Sequence, residues 1–274
     1  MNGIEIKLDK MNSTNISKNS SDRESKVYIC GAGPGDPKLI TVKCYELLKT
    51  CDIILYDRLV SQEILSIIPD SSEKIYVGRS SGDPTINQIK TNELMLKYVN
   101  MGKTVLRLKG GDPFIFGRGG EEAEFLSENN IDFEIIPGIS SAIGSAIYSG
   151  IPLTHRKFSS SVAIVTGHED PLKVSKTVKW HNLVNAVDTI VILMGIENLP
   201  NILNQLTQAG LSKETPVAVI EKGTTLQQRL VIGNVNNIQD KLKSSSIKPP
   251  SVIIIGNTVS LSSKINWFIS NNER

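Results

Sequence analysis

What this chain most plainly lacks is a long apolar run. In its 274 residues no stretch approaches the roughly 18 apolar residues that a helix needs to cross a bilayer. The longest candidates, TIVILMGI (189–196) and SVIIIG (251–256), have the length of buried strands. An excess of one charge is also missing: thirty basic against twenty-eight acidic residues leave a net charge of +2. That balance argues against nucleic-acid binding by bulk electrostatics, so any anion site must be local. Cysteine is scarce. Cys30, Cys44 and Cys51 are odd in number and show no C-x-x-C spacing, and His155, His168 and His181 fall in unrelated segments. Neither a metal nor a disulfide is expected, and Cys30 and Cys51 read as small buried hydrophobes at strands. The opening residues 1–25, MNGIEIKLDKMNSTNISKNSSDRES, contain no apolar core of a secretory signal. Polar and rich in Ser and Asn, they are expected to form a disordered tail on a cytoplasmic protein that binds neither membrane nor nucleic acid.

What is present suffices for one large or two medium cores, with 39% hydrophobic and 21% charged residues. From residue 27 short apolar runs alternate with longer amphipathic ones: VYIC (27–30), a helix near 38–49, DIILY (52–56), KIYV (74–77), a helix near 85–101, TVLRL (104–108), a helix near 119–129, and FEII (133–136). This βαβ rhythm predicts a parallel-rich α/β domain over residues 26–150. PGISSAIGSAIYSGIPLTHR (137–156) has small residues at helical spacing and a proline-bearing turn, which places a boundary near 150–157. A second α/β domain, 151–270, is expected to hold strands at 161–166, 189–193, 216–220, 228–233 and 251–255 and helices near 198–208 and 235–243. Turn signals around QQRLVIGN predict antiparallel pairing there, hence a mixed second sheet.

Gly-Asp-Pro occurs at 35–37, 82–84 and 111–113. Asp favours the N-cap and Pro the first helical position, so the tripeptide is good chemistry for starting a helix. Two copies lie in glycine loops that follow strands. The first loop, VYICGAGPGDP, has Gly31-x-Gly33 after a strand and Asp57 at the end of the next, but its third glycine, Gly35, comes one residue early for a dinucleotide fingerprint. Pro34 also removes an amide donor, and Asp36 sets a negative charge where a phosphate would bind. The second loop, KGGDPFIFGRGGEE (109–122), repeats the pattern with Asp112 and Pro113 and adds Glu121 and Glu122. Such loops suit a neutral or cationic ligand that lies close to glycine backbone while Asp112 accepts from its hydroxyl or ammonium groups. A flat nucleoside, a zwitterionic amino acid, or S-adenosylmethionine, which combines the two without phosphate, meets these conditions.

With VYICGAGPGDPKLITVKCYELL, ILYDRLVS (54–61), VLRLKGGDPFIFGRGGEEAE (105–124), PGISSAIGSAIYSGIPLTHR, TGH (166–168), ILMG (192–195) and EKGTTLQQRLVIGNV (221–235), the chain resembles the uroporphyrinogen-III C-methyltransferases of the tetrapyrrole methylase superfamily. The resemblance covers residues 27 to about 256. It implies a two-domain α/β enzyme, a homodimer, with its active site in the interdomain cleft. S-adenosyl-L-methionine would be the methyl donor and S-adenosyl-L-homocysteine the product. Uroporphyrinogen III would be methylated at two ring carbons, C2 and C7, to give precorrin-2, the precursor of sirohaem and cobalamin. The implied cofactor contacts are Pro34, Gly110, Gly111, Asp112, Ile115, Ser140, Ser141, Met194 and Gly223. Ser140-Ser141 stands where the family has Thr-Ala.

Methyl transfer from a sulfonium to carbon is an in-line displacement, so alignment supplies most of the catalysis. The ring must then adjust its protons, and Asp57 matches the family's proton acceptor. The family's proton donor is a lysine, but here VGRSSG puts Arg79 in its place, a poor acid that stays protonated. The substrate's eight carboxylates call for local cations, for which Arg58, Arg79, Lys109, Arg118, Arg156 and Lys157 are candidates; Arg118 and Arg156 sit inside family motifs. Alternatives are a methylase acting on a later corrinoid intermediate or on another substrate of the superfamily, a nucleotide-dependent oxidoreductase, and a non-catalytic tetrapyrrole- or nucleoside-binding module.

Overall fold

A computed structural model describes residues 25–78, 84–168 and 178–268. The tail expected over 1–25 lies outside them except for its last residue. Among the described residues the apolar runs form two five-stranded sheets. The first contains β1 (Val27–Gly31), β2 (Ile53–Tyr56), β3 (Glu73–Tyr76), β4 (Val105–Lys109) and β5 (Phe133–Ile136), in the order β3-β2-β4-β1-β5 with every pair parallel. The second contains β6 (Val162–Thr166), β7 (Thr189–Leu193), β8 (Pro216–Glu221), β9 (Arg229–Asn234) and β10 (Ser251–Ile255), in the order β6-β7-β10-β8-β9. There β6 and β7 run parallel, and the other pairs, including β8 with β9 around QQRLVIGN, are antiparallel. One parallel and one mixed sheet is the α/β architecture that the apolar rhythm predicts.

The helices are α1 (Val42–Thr50), α2 (Gln62–Leu65), α3 (Pro84–Asn100), α4 (Gly119–Glu128), α5 (Ser141–Tyr148), α6 (Trp180–Ala186), α7 (Leu199–Gln208), α8 (Ile238–Ser245) and α9 (Ser262–Ile265). Of these α2, α6 and α9 escape the sequence reading, because segments of about two turns or fewer show no apolar period. Thr41, Ser61 and Ser140 cap α1, α2 and α5 with side-chain oxygens that accept from the amides of Cys44, Ile64 and Ala142. Asp36 likewise caps the short turn Pro37–Leu39 by accepting from the Lys38 amide.

Alternating residues of the central strands feed opposite layers, as a sheet covered on both faces requires. Cys30, Leu106 and Leu108 pack with Leu48 and Ile54 beneath α1, whereas Ile29 and Val105 pack with Met95 and Leu126 of α3 and α4. Arg107 and Lys109, two and four residues beyond Val105, therefore face the α3 and α4 layer. The edge strand β3, EKIY, is largely exposed and charged, which discourages pairing with another sheet. Helix α5 begins at the first sheet but packs its small face, Ala142 and Ala146, on Val191, Ala218 and Val252 of the second.

Candidate functional site

In the first sheet the connection from β1 leads toward β2 and that from β4 leads back toward β5. The neighbouring carboxyl ends of β1 and β4 thus flank a topological switch point, where open α/β sheets bind ligands. The register aligns Gly31 with Lys109. Pairing then continues past the strands: Gly33 and Gly111 exchange amide hydrogen bonds of 3.1 and 2.7 Å, and the Ala32 amide donates to the Lys109 carbonyl at 2.7 Å. The third segment, Pro137–Ser141, presses against both loops. A β-carbon on Gly138 would stand 2.3 Å from the Gly111 carbonyl oxygen and one on Gly31 would stand 2.5 Å from it, so only glycines allow this backbone contact.

Asp112 fastens the junction. Its Oδ1 accepts from the Phe114 amide at 2.8 Å and its Oδ2 from the Gly138 amide at 3.1 Å. Above it, Gly111 has φ +70, and a β-carbon built there would meet nothing nearer than the Ser141 amide at 3.7 Å. The open face of Gly111 therefore adjoins the N-terminus of α5, where Ser140 is the cap. A flat ligand against backbone fits this cradle.

The second sheet closes the site from the other side. Its segment after β8 holds Gly223 between Lys222 and Thr224, which have positive φ values of 47 and 70. Gly223 packs on Ser145 of α5, Thr224 Oγ1 accepts from the Asp36 amide at 3.2 Å, and Gly35 abuts Thr225. Pro34 rests its ring on Gly144. The structure thus brings Pro34, Gly110, Gly111, Asp112, Ser140, Ser141 and Gly223 into one cluster of loops. Met194 follows β7, whose Leu193 lies level with Ile220 across β10, so it leaves the same sheet edge as Gly223 about 10 Å away. It is 55% exposed and has φ +54, a strained backbone on an uncovered apolar side chain, unlike the core filling that its apolar strand suggests. Ile115 is also exposed, between Phe114 and Phe116.

Asp57 follows β2. Its amide donates to the Leu108 carbonyl at 3.3 Å, and two residues on, Leu59 touches Gly110. The Asp57 side chain, 28% exposed, holds a 2.7 Å ion pair from Oδ1 to Arg107 Nη2. Arg107 also gives Nε to Glu122 Oε1 at 2.9 Å, and the same oxygen receives Lys109 Nζ at 2.8 Å and Gln88 Nε2 at 3.1 Å. Burial alone would raise the Glu122 carboxyl, but Arg107 and Lys109 together hold it below the usual range. Burial first, then the neighbouring Arg107 cation, pushes the Lys109 ammonium below an ordinary lysine.

This cluster corrects two readings of the second loop. Lys109 is 2% exposed and spent on Glu122, so it offers nothing to a substrate carboxylate. Glu121 and Glu122 do not confront a ligand either: Glu122 is enclosed among the chain's own cations, and Glu121 binds Arg118 Nε at 3.0 Å and Nη2 at 2.5 Å. Arg118 itself has φ +59 and precedes α4. Arg156 is exposed in the turn closed by the His155–Ser159 bridge and takes no part in the bonds that join the loops. Arg79 lies outside the described residues. Sequence reasoning missed Arg107 and the role of Glu122, although a guanidinium in the middle of VLRLK was a usable signal: a charge on a buried strand needs a partner.

The family model described as Tetrapyrrole (Corrin/Porphyrin) Methylases matches residues 26–239. A uroporphyrinogen-III C-methyltransferase of Bacillus subtilis is 48% identical over 245 residues, 89% of this chain and 95% of that protein. A siroheme synthase of Pseudoalteromonas atlantica is 43% identical over 98% of this chain, which spans only 58% of that protein's length. Among solved structures, the uroporphyrin-III C-methyltransferase of Thermus thermophilus complexed with S-adenosyl homocysteine superposes with a TM-score of 0.74 at 35% identity, over 86% of this chain and all of that one. On these matches, and with glycine loops at the switch point of its parallel sheet, the chain belongs to the tetrapyrrole methylase family.

Proposed function

We propose that the chain transfers methyl groups from S-adenosyl-L-methionine to ring carbons C2 and C7 of uroporphyrinogen III, giving precorrin-2 and S-adenosyl-L-homocysteine. The observation that carries this reading is the backbone junction of Gly31, Gly111 and Gly138, open above Gly111 toward Ser140 and Ser141. It offers amides and a flat glycine floor, the surface a nucleoside needs, and the Bacillus and Thermus relatives carry the corresponding activity in their names. The cofactor supplies a methyl group on a sulfonium. The protein's part is to hold the acceptor carbon in line with it, about 3 Å away, and to exclude water. Pro34, Gly110, Gly111, Asp112, Ile115, Ser140, Ser141, Met194 and Gly223 form the cofactor side in this reading. Asp57, at the rim beside Gly110, accepts the proton that the methylated ring releases, while Arg79, Arg118 and Arg156 serve the acidic substrate, Arg79 without acting as an acid.

Residues 26–150 and 151–270 act as two lobes around this cleft, and a homodimer belongs to the same reading. In its favour, Ile143 and Ile147 stand exposed one turn apart on α5, where the Trp267 indole donates to the Ile147 carbonyl at 3.2 Å. The decisive assay incubates the full chain with uroporphyrinogen III and methyl-labelled S-adenosylmethionine, then follows label and absorbance in the tetrapyrrole. Two labels per ring are expected; binding of both ligands with no transfer would end the enzyme reading. Sedimentation of the same preparation tests the dimer.

A further inference from the structure

Glu122 is fully enclosed, 0% exposed, yet it touches neither the open face of Gly111 nor the rim. All its donors crowd onto one oxygen: Arg107 Nε, Lys109 Nζ and Gln88 Nε2 reach Oε1, and Oε2 is buried with no hydrogen-bond partner among the described residues. The crowding has a geometric cause. Arg107 and Lys109 project from the same face of β4, two residues apart, and α4 presents one carboxylate edge to both. A carboxylate buried with half its capacity unused is poor evidence for stability, since well-packed apolar side chains often do as well. Placement is what it supplies.

The guanidinium of Arg107 is held on three sides. Nε binds Glu122, Nη1 leans on the carbonyls of Leu55 and Leu108 at 3.4 and 3.3 Å, and Nη2 is left with one direction, toward Asp57 Oδ1 at 2.7 Å. Asp57 follows a strand with part of its side chain in solvent, and this fork is the ion pair that orients it. Lys109, tied to the same Glu122 oxygen, is the last residue of β4 and anchors the start of the Gly110-Gly111 turn. Rim acid and glycine floor thus share one buried support.

We propose that Glu122 is a positioning residue for methyl transfer, acting through Arg107 on Asp57. The inference rests on the reading of Asp57 as proton acceptor. It is tested with wild type, Glu122→Gln and Arg107→Lys under the assay above, with working sites counted by titration with S-adenosylhomocysteine so that unfolded protein does not enter the rate. For Glu122→Gln, kcat per site should fall at least about tenfold while KM and the S-adenosylhomocysteine dissociation constant stay within about threefold. Arg107→Lys keeps a cation but cannot bridge two carboxylates, and should show the same split. The double variant should lose no more than the worse single one, because both act along one path.

Wild-type kcat per site in Glu122→Gln would overturn the proposal, as would an equal loss of cofactor affinity and rate, the mark of general loosening. Should Glu122→Gln fail to fold, Arg107→Lys decides by the same criteria. An inactive wild type would remove the methyltransferase reading and the inference together, whereas an active wild type with an indifferent Glu122→Gln removes the inference alone.

Discussion

Tyr148 and Asp36, 112 residues apart in sequence, join the two sheets: the phenol donates to Asp36 Oδ2 at 2.8 Å, while the Asp36 amide reaches Thr224 of the opposite side. Gln228 completes the link, accepting from the Thr224 amide and donating to the Tyr148 carbonyl. Asp36 therefore caps a turn and ties the first glycine loop to the segment around Gly223.

This bond has a signature at alkaline pH. Burial, and then Asp36, push the Tyr148 phenol up to about 12. A raised value means that the folded chain holds the proton more tightly than the unfolded one. The contribution is therefore complete below about pH 10 and lost as pH rises through the folded value. Tyr148→Phe keeps the ring against Trp267 and Phe268 but should lose about 1 kcal/mol at neutral pH in urea unfolding. The difference from wild type should shrink toward pH 12, and a constant difference would disprove the linkage.

Two glycines separate conformational from steric need. Gly111→Ala meets open space, so its cost is the left-handed φ, about 1–2 kcal/mol. Gly138→Ala would drive a β-carbon into the Gly111 carbonyl and part the loops. Calorimetric titration should find S-adenosylhomocysteine affinity reduced more than about tenfold by both, by Gly138→Ala because the loops part and by Gly111→Ala because its methyl stands on the open floor, while urea unfolding should find Gly138→Ala the less stable of the two. Wild-type affinity in Gly111→Ala would mean that the cofactor does not lie on this floor.

Asp112→Ala should both destabilise the chain and weaken the cofactor. Two amides, of Phe114 and Gly138, lose their acceptor, which predicts about 2 kcal/mol of stability and a more than about tenfold rise in the dissociation constant. Asp112→Asn, still able to accept at one oxygen, should fall between. Unchanged binding in the alanine variant would remove Asp112 from the site.

Acid stability should carry the mark of Asp188. Its carboxylate accepts from the amides of Ser160 and Ser161 and from the Ser161 hydroxyl, and the Ser160 amide foremost holds its pKa below the usual range. A depressed value contributes above the unfolded pKa, about 4, and is lost as pH falls through the folded one. Melting curves of Asp188→Asn should lie below wild type at neutral pH and converge with it in acid. Curves that stay parallel to the lowest pH would refute this.

The apolar runs of the sequence specify the two sheets and their order along the chain, and the glycine loops mark the site, because period and turn chemistry are local properties. Pro34, Gly111 and Gly223 are named through the family resemblance that those segments carry, whereas Asp112 could be named from its loop chemistry. Which charges remain available could not. Glu122 looks like a ligand-facing acid in KGGDPFIFGRGGEE and Lys109 like a substrate-facing cation, yet Lys109 is spent on Glu122, and Glu122 on Lys109 and Arg107, once α4 packs against β4. Met194, named from the resemblance as a cofactor contact, follows an apolar strand yet stands exposed. Ion pairing and burial depend on distances between segments far apart in the chain, and only the packing of helix on sheet and of one sheet's loops on the other's sets those distances.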